Sequence, residues 1–327
     1  MLRVGLNPYG LTYWLGLQGA GTPRANPHGV GLDGFIGMAT ELGARVVELH
    51  NGWLKAMSAE ELAALRQRLE KLDLTPVIGS GLVHEPIGSA VGPAKALGAK
   101  TIRLALTRVL EGNRNGLGAD WPKLVQTVRS GLKDYAAQAA EHGIWLGIED
   151  HQDFTSQELV DFCDEAGPNV GITFDMANPF SVGESPIDFT RRIAPKVRHM
   201  HLKDYNVQFT DEGIRLVRSA IGDGAVPFRE MLDIILPHHE NLTATLELAA
   251  LEARHIRLYR PEWWNGYPPS SGAGLAACLA AARRNRLPDD ADYRTPWEKG
   301  EDGQALIDYE LGQIRRSAEN MKKLGIM

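Results

Sequence analysis

The stretch from Trp145 to Phe154 reads WLGIEDHQDF, an apolar run that stops abruptly in Glu149, Asp150 and His151. A buried charge is costly unless it is paired or binds an ion, so three ionisable groups at a strand end need partners or a task. Similar endings recur along the chain. VVELH carries Glu48 and His50, TIRL carries Arg103, GITFD ends in Asp175 with Asn178 just beyond, VRHMH carries His199 and His201, and TATLE ends in Glu247. Strand alternation puts Trp145, Gly147 and Glu149 on one face, and Thr243, Thr245 and Glu247 on one face. Glu149, Asp175, His201 and Glu247 together offer three carboxylates and one imidazole, a donor set for a divalent cation. Mg²⁺ prefers all-oxygen surroundings, whereas Mn²⁺, Co²⁺, Zn²⁺ and Fe²⁺ accept an imidazole among oxygens. Mn²⁺ is the favoured expectation. Asp150 has a ready structural reading as a helix cap or loop ion pair. His199 reads as a buried, hydrogen-bonded histidine. Glu48 is either a substrate contact or the ion-pair partner of Arg103.

Such groups can act together only if the fold brings the strand ends to one place. Eight β-like runs, at residues 2–6, 45–50, 75–78, 101–104, 144–149, 170–175, 197–201 and 242–247, alternate with amphipathic helical stretches. The helical stretches are residues 32–42, 59–72, 90–97, 121–142, 156–166, 186–193, 227–236 and 272–286. Eight strands, each followed by a helix, predict a (β/α)8 TIM barrel, whose active groups sit at the C-terminal strand ends. An open doubly wound sheet is disfavoured, because no G-x-G-x-x-G turn opens a helix after the first strand. ELGARVVEL, ALGAKTIRL and EHGIWLGIE each read as helix, glycine, strand, with glycine suited to the left-handed position that ends a helix. Residues 1–288 are assigned to the barrel and 289–327 to a C-terminal helical extension, with a helix near 304–323 packing on the barrel or on a partner subunit. A homo-oligomer is expected.

Of 327 residues, 43% are hydrophobic and 23% charged, ordinary for a soluble globular protein. A net charge of −6 argues against nucleic acid or an anionic membrane as partner. No apolar run approaches the ~18 residues of a membrane span, and MLRVGLNPYG does not read as a signal peptide. A cytoplasmic protein is expected, and Cys163 and Cys278, both in helical contexts, read as buried reduced thiols. The segment RPEWWNGYPPSSG is rich in aromatics, and Trp263, Trp264 and Tyr267 could stack on a ligand, close the site at a dimer contact, or pack the tail on the barrel.

GIEDHQDF, GITFDMANPFSVGESP, VRHMHLKDY with GDGAVPF after it, and ATLELA resemble the xylose isomerase-like TIM-barrel superfamily, the sugar phosphate isomerase/epimerase group. The resemblance runs from VGLNPYG to Glu247, and the H-x-K-D motif from His201 to Asp204 is its most specific piece. It implies a metal held by Glu149, Asp175, His201 and Glu247. It also implies that Glu149 and Glu247 move protons on the two faces of a sugar or keto sugar. A cation stabilises the enediolate made by removing a proton α to a carbonyl. Lys203 would add positive charge near the site or form a structural ion pair. The ketose epimerases typically show D-x-x-H after the strand-six aspartate, whereas this chain has Asp175-Met176-Ala177-Asn178. Asn178 can orient a hydroxyl or carbonyl but cannot titrate near neutral pH. His151 either takes up acid/base duty on strand five or caps the following helix. The D-x-A-N variant resembles branches that cleave a bond in 3-oxo sugar acids or 3-keto glycosides, such as the 3-oxo-isoapionate decarboxylases. Two functions are therefore expected in competition: a metal-dependent isomerase or epimerase of an unphosphorylated sugar, and a lyase or decarboxylase with the same site. An apurinic endonuclease is disfavoured by the net charge and the single four-ligand set.

Overall fold

Parallel strands covered on both faces read as nearly continuous apolar runs, because neither face meets water. The computed structural model describes residues 2–327 and shows eleven strands in chain order. They are β1 (Leu2–Leu6), β2 (Val46–His50), β3 (Thr75–Gly81), β4 (Thr101–Ala105), β5 (Trp145–Glu149), β6 (Val170–Asp175), β7 (Val197–Leu202), β8 (Tyr205–Thr210), β9 (Gly213–Arg218), β10 (Leu242–Leu246) and β11 (Arg254–Ile256). Eight of them close a parallel barrel in the order β1-β10-β7-β6-β5-β4-β3-β2. This is the (β/α)8 barrel that the sequence pattern predicts.

The α-helices are α1 (Gly31–Leu42), α2 (Asn51–Leu54), α3 (Ala59–Lys71), α4 (Val91–Leu97), α5 (Trp121–Ala140), α6 (Ser156–Ala166), α7 (Pro186–Ile193), α8 (Phe228–Ile235), α9 (Gly272–Ala282) and α10 (Gly303–Lys323). Glycine stops α1: Gly43 adopts φ 76°, and its N–H caps the carbonyls of Ala39 and Thr40. Thr155 opens α6 with a capping box in which its hydroxyl accepts the Glu158 N–H and the Glu158 carboxylate accepts the Thr155 N–H.

The last helix lies along the flank of this barrel. Arg315 pairs with Glu41 of α1, Arg229 of α8 donates to the Leu324 carbonyl, and Ile314, Ala318 and Met321 are buried in the main core. Its N-terminal half is tied to the start of the chain, since Glu310 accepts the backbone N–H groups of Tyr13 and Trp14. So α10 flanks α1 and α8, where a barrel needs its last covering helix. The helix after β10 in sequence, α9, instead packs near α7, with Cys278 buried beside Glu184.

A three-stranded antiparallel sheet, β11-β9-β8, stands outside the barrel. The helix and strand pattern above does not include it. Its signal is the alternation in VQF and IRL around the turn Asp211-Glu212-Gly213, a hairpin pattern. Among the described residues no helix is long and apolar enough to cross a membrane.

Candidate metal centre and active site

Register decides which strand-end groups meet. His201 lies opposite Asp175 of β6 on one side and Thr245 of β10 on the other, so Glu247 follows one step beyond on the same face. Arg103 lies between Gly79 of β3 and Gly147 of β5. A Cβ on Gly79 would come within 2.7 Å of both the Arg103 guanidinium and the Glu48 carboxylate, so glycine leaves the room this ion pair occupies.

Glu149, Asp175, His201 and Glu247 are all buried, and one donor atom from each lies within 4.8 Å of the other three. Donors about 2.1 Å from a common ion are at most about 4.2 Å apart, so the set is close to a ligand cage already. His201 Nδ1 lies 2.5 Å from Glu247 Oε2 and 3.3 Å from Glu149 Oε1. Yet this buried nitrogen has no hydrogen-bond partner, although it sits among the carboxylates. An imidazole nitrogen in that position fits a cation.

The charge balance points the same way. Five carboxyl groups, Glu48, Glu149, Asp150, Asp175 and Glu247, crowd around two permanent cations, Arg103 and Lys203. Burial raises Asp150 and Asp175 above the usual carboxyl range. Burial would also raise Glu149, but the Arg103 guanidinium, with His201 and His151 nearby, holds it below that range. Burial lowers an imidazole, but Glu247, Glu48 and Glu149 lift His201 well above its ordinary value. A divalent cation in the cage would replace these makeshift partners.

The residues expected to contact substrate divide. Arg103 lines the cavity above the strand ends, together with Tyr9, His50, His151, Glu149 and Glu247, in a space of about 410 Å³. Glu48, Lys203 and Asn178 do not line it. Glu48 is only 1% exposed and sits beneath, with Oε1 accepting Arg103 Nε at 2.8 Å and Oε2 2.7 Å from His201 Nε2. Lys203 Nζ is drawn back onto Asp175, and it lies 2.9 Å from Glu247 Oε1. The Asn178 amide donates to Asp175 Oδ2 at 2.7 Å and to the Asp150 carbonyl at 3.1 Å. These three are spent on ordering the carboxylates. Asp150 is structural in the same sense, since its Oδ1 accepts the Asp175 N–H at 2.5 Å. His199 is buried against Thr243, 2.7 Å from its hydroxyl.

His151 faces the cavity, and Thr155 caps α6 in its place. Its Nδ1 is buried without a hydrogen-bond partner among the described residues, and burial lowers its pKa. The loop that carries it is clamped to the segment after β4. Thr107 Oγ1 donates to Asp153 (2.7 Å), the Glu111 N–H to Gln152 Oε1 (2.8 Å), and Arg114 Nε to the Asp153 carbonyl (2.8 Å). Asn7 is a site residue that the strand-end search missed: its amide donates to Glu247 Oε2 at 3.0 Å. Its signal is a polar residue directly after β1, followed by proline.

Trp263 and Tyr267 do not reach this cavity. The Trp263 indole N–H donates to the Glu111 carbonyl, the Tyr267 hydroxyl donates to the Gly112 carbonyl, and the Arg114 guanidinium stacks 3.9 Å from the Tyr267 ring centre. Tyr267 and Trp264 instead border a larger recess, about 910 Å³, between α6, α7 and the start of α9. That recess holds none of the four donors, so size alone does not mark the chemistry.

Residues 36–257 match the family described as xylose isomerase-like TIM barrel. YihM of Escherichia coli (strain K12) is 27% identical over 205 residues, 61% of this chain and 60% of that protein's length. The 3-oxo-isoapionate decarboxylase of Pectobacterium atrosepticum is 22% identical over 251 residues, 75% of this chain and 85% of that one. The D-psicose 3-epimerase of Clostridium cellulolyticum H10, solved with D-tagatose, superposes with a TM-score of 0.57 at 13% identity and covers 99% of both chains. At that identity the superposition speaks to the fold alone.

Proposed function

Because this chain belongs to the xylose isomerase-like TIM barrels, we propose that it is a divalent-metal-dependent sugar isomerase or epimerase. Its substrate is an unphosphorylated sugar or keto sugar. The observation that carries this reading is the cage of Glu149, Asp175, His201 and Glu247, with the bare Nδ1 of His201 among the carboxylates. Mn²⁺ suits three oxygens and one imidazole nitrogen. When bound, a cation supplies positive charge against the oxyanion that develops as a proton leaves the carbon next to a carbonyl.

The chain's own groups do the rest. Glu149 and Glu247 come from β5 and from the end of β10, on two sides of the cage, and both line the cavity. One removes the proton and the other returns it: to the same carbon from the opposite face, which inverts the stereocentre, or to the neighbouring carbon, which moves the carbonyl. Arg103 holds Glu149 ionised and donates to substrate oxygens. His151, neutral at neutral pH in its buried setting, accepts or donates a proton at a hydroxyl. The cavity of about 410 Å³ is large enough for a monosaccharide.

A second reading is cleavage of a 3-oxo sugar acid or 3-keto glycoside at the same site. It is favoured by Asn178, whose amide is committed to Asp175 and Asp150 and offers no proton from the β6 side. The similarity to a decarboxylase supports it as well. The test is to incubate the Mn²⁺-loaded protein with ketohexoses, pentuloses and 3-oxo sugar acids in D₂O and follow the products by NMR. Deuterium at the α carbon with all carbons retained supports isomerisation or epimerisation. Loss of CO₂ or of an aglycone supports cleavage. Turnover and metal content that survive both Glu149→Gln and Glu247→Gln would rule out the site.

A further inference from the structure

Glu48 has no place in the reaction just described, yet it is among the most completely buried charges in the protein. Both of its oxygens are engaged. Oε1 accepts Arg103 Nε at 2.8 Å, and Oε2 lies 2.7 Å from His201 Nε2. It does not line the cavity above the strand ends, where a substrate would sit.

We propose that Glu48 is the positioning residue of the metal-binding imidazole: it fixes the His201 ring so that Nε2 carries hydrogen and Nδ1 is the ligating atom. The proposal rests on the reading of Glu149, Asp175, His201 and Glu247 as a metal cage. An ionised carboxylate only accepts hydrogen bonds, so a nitrogen 2.7 Å from it must carry hydrogen. In a neutral imidazole that leaves the lone pair on the other nitrogen. The other nitrogen, Nδ1, is the one that lacks a hydrogen bond and points among Glu149 and Glu247. The reverse tautomer would set the Nε2 lone pair against Glu48 and aim an N–H at the ion.

The support continues outward. Arg103 holds Glu48 through Nε and reaches Glu149 Oε2 through Nη1 at 3.4 Å, so one guanidinium ties the orienting carboxylate to a ligand carboxylate. The His201 ring is also walled by His199, edge-to-face at 5.4 Å between centroids and 88° between planes. His199 is itself held through Nδ1 by Thr243, with Nε2 3.3 Å from the Thr245 hydroxyl. Outer partners of this kind fix ring orientation and ligand basicity, and losing one costs metal affinity about 10–100-fold.

The test uses Zn²⁺ alone, titrated into the full chain against a competing chelator. Glu48→Gln keeps the shape but presents either a carbonyl or an N–H₂ to the ring, so both tautomers become acceptable. We expect Zn²⁺ to bind about 10–100-fold more weakly. Glu70→Gln, the same change at an exposed ion pair on α3, should leave Zn²⁺ affinity unchanged. The second readout is ¹⁵N NMR of histidine-labelled, Zn²⁺-loaded wild-type protein. Hydrogen on Nε2 with Nδ1 shifted by the metal supports the proposal, and this readout stands if Glu48→Gln does not fold. Nε2 on the metal, or a folded Glu48→Gln that binds Zn²⁺ as tightly as wild type, overturns it. Wild-type protein that takes up no Zn²⁺ would instead remove the metal cage itself, and this proposal with it.

Discussion

Replacing Asp153 with asparagine should flatten the dependence of stability on pH. Asp153 is fully buried in the loop that carries His151. One oxygen accepts the Thr107 hydroxyl at 2.7 Å, and the other is buried with no partner. Burial raises its pKa from 3.8 to about 7, despite the Thr107 bond and the Arg114 charge that favour the anion. A folded pKa above the unfolded one means that the native state holds the proton more tightly. The associated stability is full below pH 3.8 and is lost as pH rises towards 7. The difference between 3.8 and about 7, at ~1.4 kcal/mol per pH unit, amounts to ~4 kcal/mol over that whole window. Between pH 5 and 8 the loss is about 3 kcal/mol by the same linkage. The asparagine would keep the acceptor for Thr107 and never ionise. Its amide N–H₂ in place of the bare oxygen costs ~1–3 kcal/mol, equally at every pH. The measurement is therefore the slope: urea unfolding of wild type and Asp153→Asn at pH 5 and pH 8 with chelator present. The variant should gain about 3 kcal/mol on wild type across that interval, since other buried acids cancel in the difference. Parallel profiles would show that Asp153 ionises as easily in the fold as out of it, and would refute the reasoning.

Arg114→Met should destabilise the protein by about 3–5 kcal/mol, read as a lowered Tm, because it removes a fully buried guanidinium that pairs with Glu158 and donates to the Asp153 and Gly266 carbonyls. A loss under about 1 kcal/mol would mean that the Arg114 cluster does not anchor the segment after β10. Burial pushes the thiols of Cys163 and Cys278 up to about 12, so neither should react with a thiol reagent at pH 8 in the native state, and both should react after unfolding. Rapid native labelling of either would contradict its burial.

The sequence already carried the barrel and most of the candidate site, for a physical reason. Barrel strands are buried on both faces, so each shows as a local apolar run. The candidate metal ligands then stand out as charges at the ends of those runs, as Asp175 does after VGITF. What stayed hidden depends on contacts distant in sequence. Whether Glu48 faces substrate, Arg103 or His201 is set by the closure of the barrel, which brings residues 48 and 201 together. Lys203 and Asn178 have the chemistry of substrate contacts, but the packing around Asp175 turns them inward. The place of α10 was hidden too, because α9 comes between it and β10 and reads equally well as the last barrel helix. The β8–β9 hairpin was legible in its alternation, and a search tuned to helix after strand passes over it.

The proposed chemistry turns on a single ion held by Glu149, Asp175, His201 and Glu247. Calorimetric titration of chelator-treated protein with Mn²⁺ tests this directly, on wild type and on Glu247→Gln. The prediction is one Mn²⁺ per chain in the wild type and at least a roughly tenfold loss of affinity in the variant, on the order of what a missing ligand or its support costs. Absence of binding in the wild type, or binding that Glu247→Gln leaves unchanged, would contradict it.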